Sequence, residues 1–456
     1  MRALHTRPVG LDVRVATDEM RADAYERTLA SLYALEARAG IDLRLDRVRR
    51  AVAALGHPER AAPALHVAGT NGKGSTAAML AAILAAAGRR VGLYTSPHLV
   101  SFRERIVVDG RPIDESEVIE GVARIRRDVP EDVALTCFEL ITLLAWWIFA
   151  ARRVDVAVLE VGLGGRLDAT NVVVPEVAII TNVGRDHEQY LGADLATIAA
   201  EKAGIIKPGV PVVSGARGVA AAVVSERAAA LSSPLSQLGR DFTLDGDPAA
   251  ALIYRSSGVT IAPLAIGLRG RHQQHNAALA VRALESAATI GCDPAAVRAG
   301  LAGVVWPGRL QVVCREPLVL LDGAHNCPGI EVVAAEVGSL AAGRPVRVLF
   351  GVMGDKDWRT MLRLLGAIAS EIVLTRPRHA RSADPAMLAA AVDGRVSVEP
   401  DPAAAYRALV AGSAPGDVVL VTGSLFLVGD VLATIDPGLA AEAARERTAL
   451  RLAGRA

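Results

Sequence analysis

Gly69, Thr70, Asn71, Gly72, Lys73, Gly74 and Ser75 join a short apolar run to an alanine-rich stretch. A glycine loop at a strand-to-helix junction can aim backbone N–H groups and a helix N-terminus at anionic oxygens. Lys73 can neutralise β- and γ-phosphate charge, and the Ser75 hydroxyl can ligate Mg²⁺. The spacing departs from the usual G-x-x-x-x-G-K-[ST], because Gly72 follows Gly69 closely and Gly74 stands between Lys73 and Ser75. An ordinary glycine turn is the competing reading. The coincidence of glycines, lysine and hydroxyl at one junction favours phosphate binding.

Further along, Glu160 closes the apolar run Val156, Ala157, Val158, Leu159 and precedes a glycine-rich segment at 162–165. A carboxylate at the carboxyl end of a parallel strand faces the crevice where such sheets bind ligands. Asp322 and His325 follow another apolar run, 318–321, by the same logic. Arg309, after Trp306, Pro307 and Gly308, can fork onto phosphate oxygens. His187 also follows an apolar run, although spacing alone reads it as a solvated loop histidine. Lys202, beside Glu201, reads from composition alone as a helix-surface lysine.

These groups need a scaffold. In 456 residues two domains are expected. Hydrophobic residues at 52% exclude a mostly disordered chain. The balance of 50 Lys plus Arg against 49 Asp plus Glu excludes a broad basic face for nucleic acid, and 4% aromatic content argues against base-stacking platforms. The most apolar helical stretch, 140–150, is about half the ~20 residues a membrane span needs. Cysteines 137, 292, 314 and 327 form no zinc-type spacing and read as free thiols, which fits a reducing cytoplasm. Residues 24–57 have helical periodicity, broken at Ala39 and Gly40. From Ala64 short β-branched runs alternate with helical stretches, predicting strands at 64–68, 91–94, 154–159, 177–180 and 210–213 and helices at 75–87 and 276–290. A second alternating block predicts five strands, at 318–321, 346–350, 372–374, 396–398 and 418–421. The fold class is therefore α/β: mainly parallel sheet covered by helices on both faces, then a smaller doubly wound unit.

The loop with glycine between lysine and serine resembles that of folylpolyglutamate and dihydrofolate synthases, members of the Mur ligase superfamily. The resemblance runs in order over residues 24–435. It includes Tyr94-Thr95-Ser96-Pro97-His98-Leu99, Phe102-Arg103-Glu104-Arg105-Ile106, Leu159-Glu160 through Thr170-Asn171, Asp186-His187, Glu201-Lys202, His272-Gln273 with Asn276, Pro307-Gly308-Arg309, Leu321-Asp322 through His325-Asn326, and Thr422-Gly423-Ser424-Leu425. It implies an N-terminal P-loop ATPase-like domain at 24–300, a linker at 301–311, a C-terminal Rossmann-like glutamate ligase domain at 312–456 and an N-terminal extension at 1–23.

The resemblance also implies residue roles. ATP would be bound by Thr70, Asn71, Gly72, Lys73, Gly74, Ser75, Thr76, Asn276, Arg309 and Asp322, with the Asn276 amide on the adenine edge. Ser75 and Glu160 would hold one Mg²⁺, and Glu160 with His187 a second. Lys202 would carry a CO₂-derived carbamate, and Lys73, Lys202, Asp322 and His325 would act in catalysis. Arg105 and Ser424 would contact substrate, and the stretch from Thr136 to Leu140 would lie near the pterin. Core packing is the larger expectation for Trp146 and Trp147. The implied reaction is ATP-dependent coupling of L-glutamate to dihydropteroate, to a reduced folate, or to both, by a cytoplasmic monomer with no nucleic-acid or membrane partner. Two rivals stay open: another Mur-type amino-acid ligase, and a nucleotide-binding ATPase without ligase activity. The first is disfavoured by Gly74, the second by leaving Asp322 and His325 without a task.

Overall fold

The computed structural model describes residues 18–39, 42, 44–192, 194–247, 250–392 and 396–454. Ala64–Ala68 and Val156–Glu160 are buried at every position. Such continuous apolar runs suit strands covered on both faces. The two pair in parallel, Val67 opposite Glu160. They sit inside an eight-stranded sheet ordered Arg111–Pro112, Ile106–Val108, Val91–Tyr94, Val156–Glu160, Ala64–Ala68, Val177–Ile180, Val212–Ser214, Leu235–Gln237. The first two strands are antiparallel to their neighbours and the rest are parallel.

One face of this sheet is covered by Asp18–Ala39 and Cys137–Arg152, the other by Lys73–Ala86, His272–Ser286 and Pro294–Gly303. The phosphate-loop helix starts at Lys73, two residues before the expected 75. The helix expected from 276 starts at His272, so Asn276 lies in its second turn and is no N-cap. A three-stranded antiparallel sheet, Phe242–Asp247, Ala251–Ser256 and Val259–Leu264, was not anticipated. Its buried Phe242, Leu252 and Tyr254 pack against the helix His272–Ser286.

The second unit holds a six-stranded sheet ordered Gln311–Arg315, Leu318–Leu321, Val418–Thr422, Val346–Phe350, Glu371–Leu374, Val396–Val398. Five of these strands were expected. The sixth, Gln311–Arg315, is an antiparallel edge strand, half-buried along most of its length, and so lacks the apolar run that would mark it. The chain does not end on this unit. The last helix, Pro437–Ala453, returns to the first, where Ala449 shares a core with Tyr25, Leu29 and Leu32. No helix among the described residues is long and apolar enough to cross a membrane.

Candidate active site

The carboxyl ends of Ala64–Ala68, Val156–Glu160 and Val177–Ile180 open onto a cleft of about 470 Å³ that is closed from the other side by the second unit. Gly72 caps the helix Lys73–Ala86 at φ 80°, a left-handed conformation glycine adopts without strain. A β-carbon there would lie 2.4 Å from Oδ1 of Asn276, whose Nδ2 donates to Gln273 Oε1 at 2.9 Å. The loop is braced from the end of Val177–Ile180. The Thr70 hydroxyl donates to Gly184 O (3.0 Å) and accepts from Gly184 N (2.9 Å), while the Asn71 carbonyl accepts from Thr181 Oγ1 and Asn182 Nδ2 at 2.7 and 2.9 Å. Lys73 Nζ donates to Thr70 O at 3.2 Å, so the ammonium is folded over the loop. Gly74 has a physical reason in this chain: a β-carbon would press on the Trp306 indole at 3.1 Å. Ser75 lines the cleft, whereas Thr76 is buried in the helix behind it, its hydroxyl without a partner.

Glu160, His187 and Lys202 line the same cleft. Glu160 is buried and accepts from Ser96 N at 3.2 Å. Burial pushes its carboxyl up, opposed by Lys73, the Ser96 N–H and Arg309. Lys202 is 4% exposed and donates to Gly69 O at 3.0 Å, tying the helix Leu195–Ala203 to the start of the phosphate loop. Burial, helped by Lys73, lowers its amine to about 7, so the surface-lysine reading does not hold. His187 is pulled down by burial, with Asp186 opposing.

From the second unit come Arg309, Asp322 and His325. Asp322 accepts from Leu310 N (2.9 Å) and Ala324 N (2.8 Å), which fixes the loops that carry Arg309 and His325. His325 Nδ1 lies 2.8 Å from Gly323 O, and burial lowers the ring to about 4. The neutral ring must donate through Nδ1 to that carbonyl, leaving Nε2, 4.0 Å from Asp186 Oδ2, as an acceptor.

Sequence reasoning did not foresee the contacts that join the two halves. Asn71 and Asn326 exchange side-chain hydrogen bonds of 3.2 and 3.0 Å. Asp186 accepts from Asn326 Nδ2 at 2.9 Å and from Lys356 Nζ at 2.7 Å. Burial pushes the Asp186 carboxyl up, but His187, Lys356 and Asn326 outweigh it and hold it below the usual range. The only signal for Asp186 was its place beside His187. Lys356 sits in Gly354-Asp355-Lys356-Asp357, which spacing does not separate from an ordinary charged turn.

Two expected substrate contacts are not among the residues that line this cleft. Arg105 Nε donates to His98 Nδ1 at 2.9 Å. Ser424 is buried as the N-cap of Leu425–Ile435, accepting from Phe426 N at 3.1 Å. In the stretch from Thr136, Phe138 packs against Gly162 at the cleft loop, and Trp146 is core. A second cavity, about 460 Å³ and mostly apolar, adjoins the cleft. Gly74, Ser96, Pro97, Glu160, Arg309 and Leu425 border both.

Among the described residues no group of three or more His, Cys, Asp or Glu forms a metal cage. The donor set nevertheless fits a cation that retains waters and phosphate oxygens: one buried, desolvated carboxylate, one hydroxyl and one imidazole around the phosphate loop.

A phosphate loop on one sheet, faced across a seam by a smaller Rossmann-like unit, is the architecture of a Mur ligase. Residues 67–284 match the Mur ligase middle domain, and residues 308–425 the Mur ligase glutamate ligase domain. The chain is 37% identical over 400 residues to the folylpolyglutamate synthase of Lacticaseibacillus casei, covering 84% of this chain and 92% of that one. It superposes on Escherichia coli FolC in complex with DHPP and ADP with a TM-score of 0.85 and 34% identity, covering 91% and 99% of the two chains. For the bifunctional folylpolyglutamate synthase/dihydrofolate synthase of Yersinia pestis complexed with AMPPNP and Mn ion, the values are 0.83 and 33%, with 90% and 98% covered. The chain belongs to the folylpolyglutamate synthase/dihydrofolate synthase family.

Proposed function

We propose that this protein uses ATP to activate the carboxylate of a pteroate or folate and joins it to L-glutamate, releasing ADP and phosphate. The observation that carries this reading is the convergence, across one seam, of Lys73, Ser75 and Glu160 from the first unit with Arg309, Asp322 and His325 from the second. The relatives' printed names point to the same reaction. On this reading residues 24–300 bind the nucleotide, 312–456 present the amino acid, and 301–311 link them.

A carboxylate resists attack by an amine because it is anionic and has a poor leaving group. Transfer of the γ-phosphoryl group makes an acyl phosphate, the glutamate α-amine adds to its carbonyl, and phosphate leaves. The protein's task is alignment and charge dispersal. Lys73 and Arg309 neutralise developing phosphoryl charge. Thr70, Asn71, Gly72 and Gly74 present backbone to the phosphates, Thr76 supports the helix end, and Asn276 contacts the adenine. His325 Nε2 accepts a hydrogen bond from the incoming amine and orients it. Asp322 positions Arg309 and His325, since both its oxygens are committed to backbone.

Two Mg²⁺ ions, the first on Ser75 and Glu160 and the second on Glu160 and His187, would screen the triphosphate. A carbamate on Lys202 would give the second ion an anionic neighbour, and the depressed amine makes the free base that CO₂ requires. The apolar cavity beside Glu160 and Arg309 suits the aromatic part of the acid and would bring its carboxylate to the γ-phosphate; the stretch Thr136 to Leu140, expected near the pterin, does not line it. Arg105 and Ser424 act on substrate only through their loops in this conformation. The reading is a cytoplasmic monomer.

Phosphate release tests the reaction. Turnover should need Mg-ATP, glutamate and either dihydropteroate or tetrahydrofolate together, and Lys73→Ala should lower it about 10³-fold. ATP hydrolysis indifferent to glutamate and acid would refute the proposal.

A further inference from the structure

The loop 96–105 belongs to the first unit by sequence, but the second unit and the last helix hold it. Ser96 and Pro97 border both cavities, and Leu99, Val100 and Glu104 line the apolar one. Val100 is buried in the second unit's core with Leu321, Leu427, Val428 and Val431, and Leu99 packs on the same cluster. At Gly429 a β-carbon would lie 2.0 Å from the Leu99 carbonyl oxygen, so the helix Leu425–Ile435 touches the loop backbone directly.

Three carboxylates bind the rest of the loop. Glu104, within it, accepts from the backbone N–H of Leu99, Val100 and Ser101 at 2.8, 3.0 and 2.8 Å. Glu446, on the last helix, accepts from Phe102 N at 2.6 Å and from the Tyr33 hydroxyl. Glu442, one turn earlier, accepts from Ser101 Oγ at 2.9 Å and Arg103 Nη2 at 2.5 Å. Arg445, on the same helix, pairs with Glu115 of the first unit. Glu104 orders the loop within itself, Ser96 N ties its start to Glu160, and the last two helices hold it from outside.

We infer that the two C-terminal helices, through Gly429, Glu442 and Glu446, position the loop 96–105 and so set how tightly the apolar cavity holds the acid substrate. This rests on the reading of that cavity as the acid's site. The three are positioning residues and touch no reacting atom. Nucleotide binding should change little, because the phosphate loop is braced separately from residues 181–184, and the three residues act on the far part of the loop from Ser96, whose N–H meets Glu160.

The test is steady-state kinetics with dihydropteroate and with tetrahydrofolate, beside direct ADP binding. In Glu446→Ala the KM for the acid should rise about tenfold, the effect of one lost charge-assisted hydrogen bond. ADP affinity should stay within about twofold of wild type. Glu446→Gln should recover part of the KM, since its amide oxygen can still accept from Phe102 N. Gly429→Ala should raise the same KM from the opposite side of the loop. If Glu446→Ala does not fold, Glu442→Ala removes a partly exposed side chain and carries the same expectation. Folded variants with wild-type KM for the acid, or with ADP affinity falling in step, would overturn the inference. Wild-type turnover that ignores the acid would instead overturn the reading beneath it.

Discussion

Lys202 is where the residue scale is most informative. Composition makes it a surface lysine, yet it is buried on the Gly69 carbonyl with its amine lowered to about 7. A base with a depressed pKa becomes neutral as pH rises through that value, so carbamate formation should increase from about pH 6 to about pH 8. With carbon-13-labelled bicarbonate, NMR should detect a protein-bound carbonyl signal that grows over this range and is missing from Lys202→Ala. A flat, signal-free spectrum at about pH 8 would remove the carbamate from the account. Glu160 and Asp322 were legible because strand-end carboxylates announce themselves by position. Asp186, Asn326 and Lys356 were not, because their meaning is a contact between residues 140 to 170 positions apart. No local pattern encodes such a contact.

At the scale of elements, the phosphate loop and the helix His272–Ser286 act as one unit. Gly72 leaves just enough space for the Asn276 amide. Gly72→Ala should weaken ADP binding about tenfold or more, both by strain at φ 80° and by displacing that amide. If displacement dominates, adding Asn276→Ala should cost much less in the Gly72→Ala background than in wild type, a coupling that a double-mutant cycle by calorimetry reads directly. Additive losses would mean that the two positions act independently. The parallel strands were readable because burial on both faces forces continuous apolar runs. The antiparallel strands at 242–264 and 311–315 alternate or lie at edges, so their pattern is diluted among polar residues. The loop 96–105 was recognisable as a motif, but its support from the last helix depends on long-range packing that periodicity does not carry.

At the scale of the whole molecule, the two large sheets meet at their carboxyl ends, joined by the Asn71–Asn326 amide pair and the Asp186–Lys356 ion pair. The proposed mechanism requires closure of this seam to keep water from the acyl phosphate. Cross-linking the two units in an open arrangement should abolish ligation while preserving ADP binding, and unchanged turnover would show that closure is unnecessary. Asn326→Ala should loosen the seam and raise the ratio of ATP hydrolysed to amide formed, as measured by phosphate release against product. The central claim is that this seam joins the acid's carboxylate to the γ-phosphoryl group before glutamate attacks. Oxygen-18 placed in the acid's carboxylate tests it most directly. The account predicts one labelled oxygen in the released inorganic phosphate for each amide formed. Phosphate free of label, with amide product still accumulating, would contradict it.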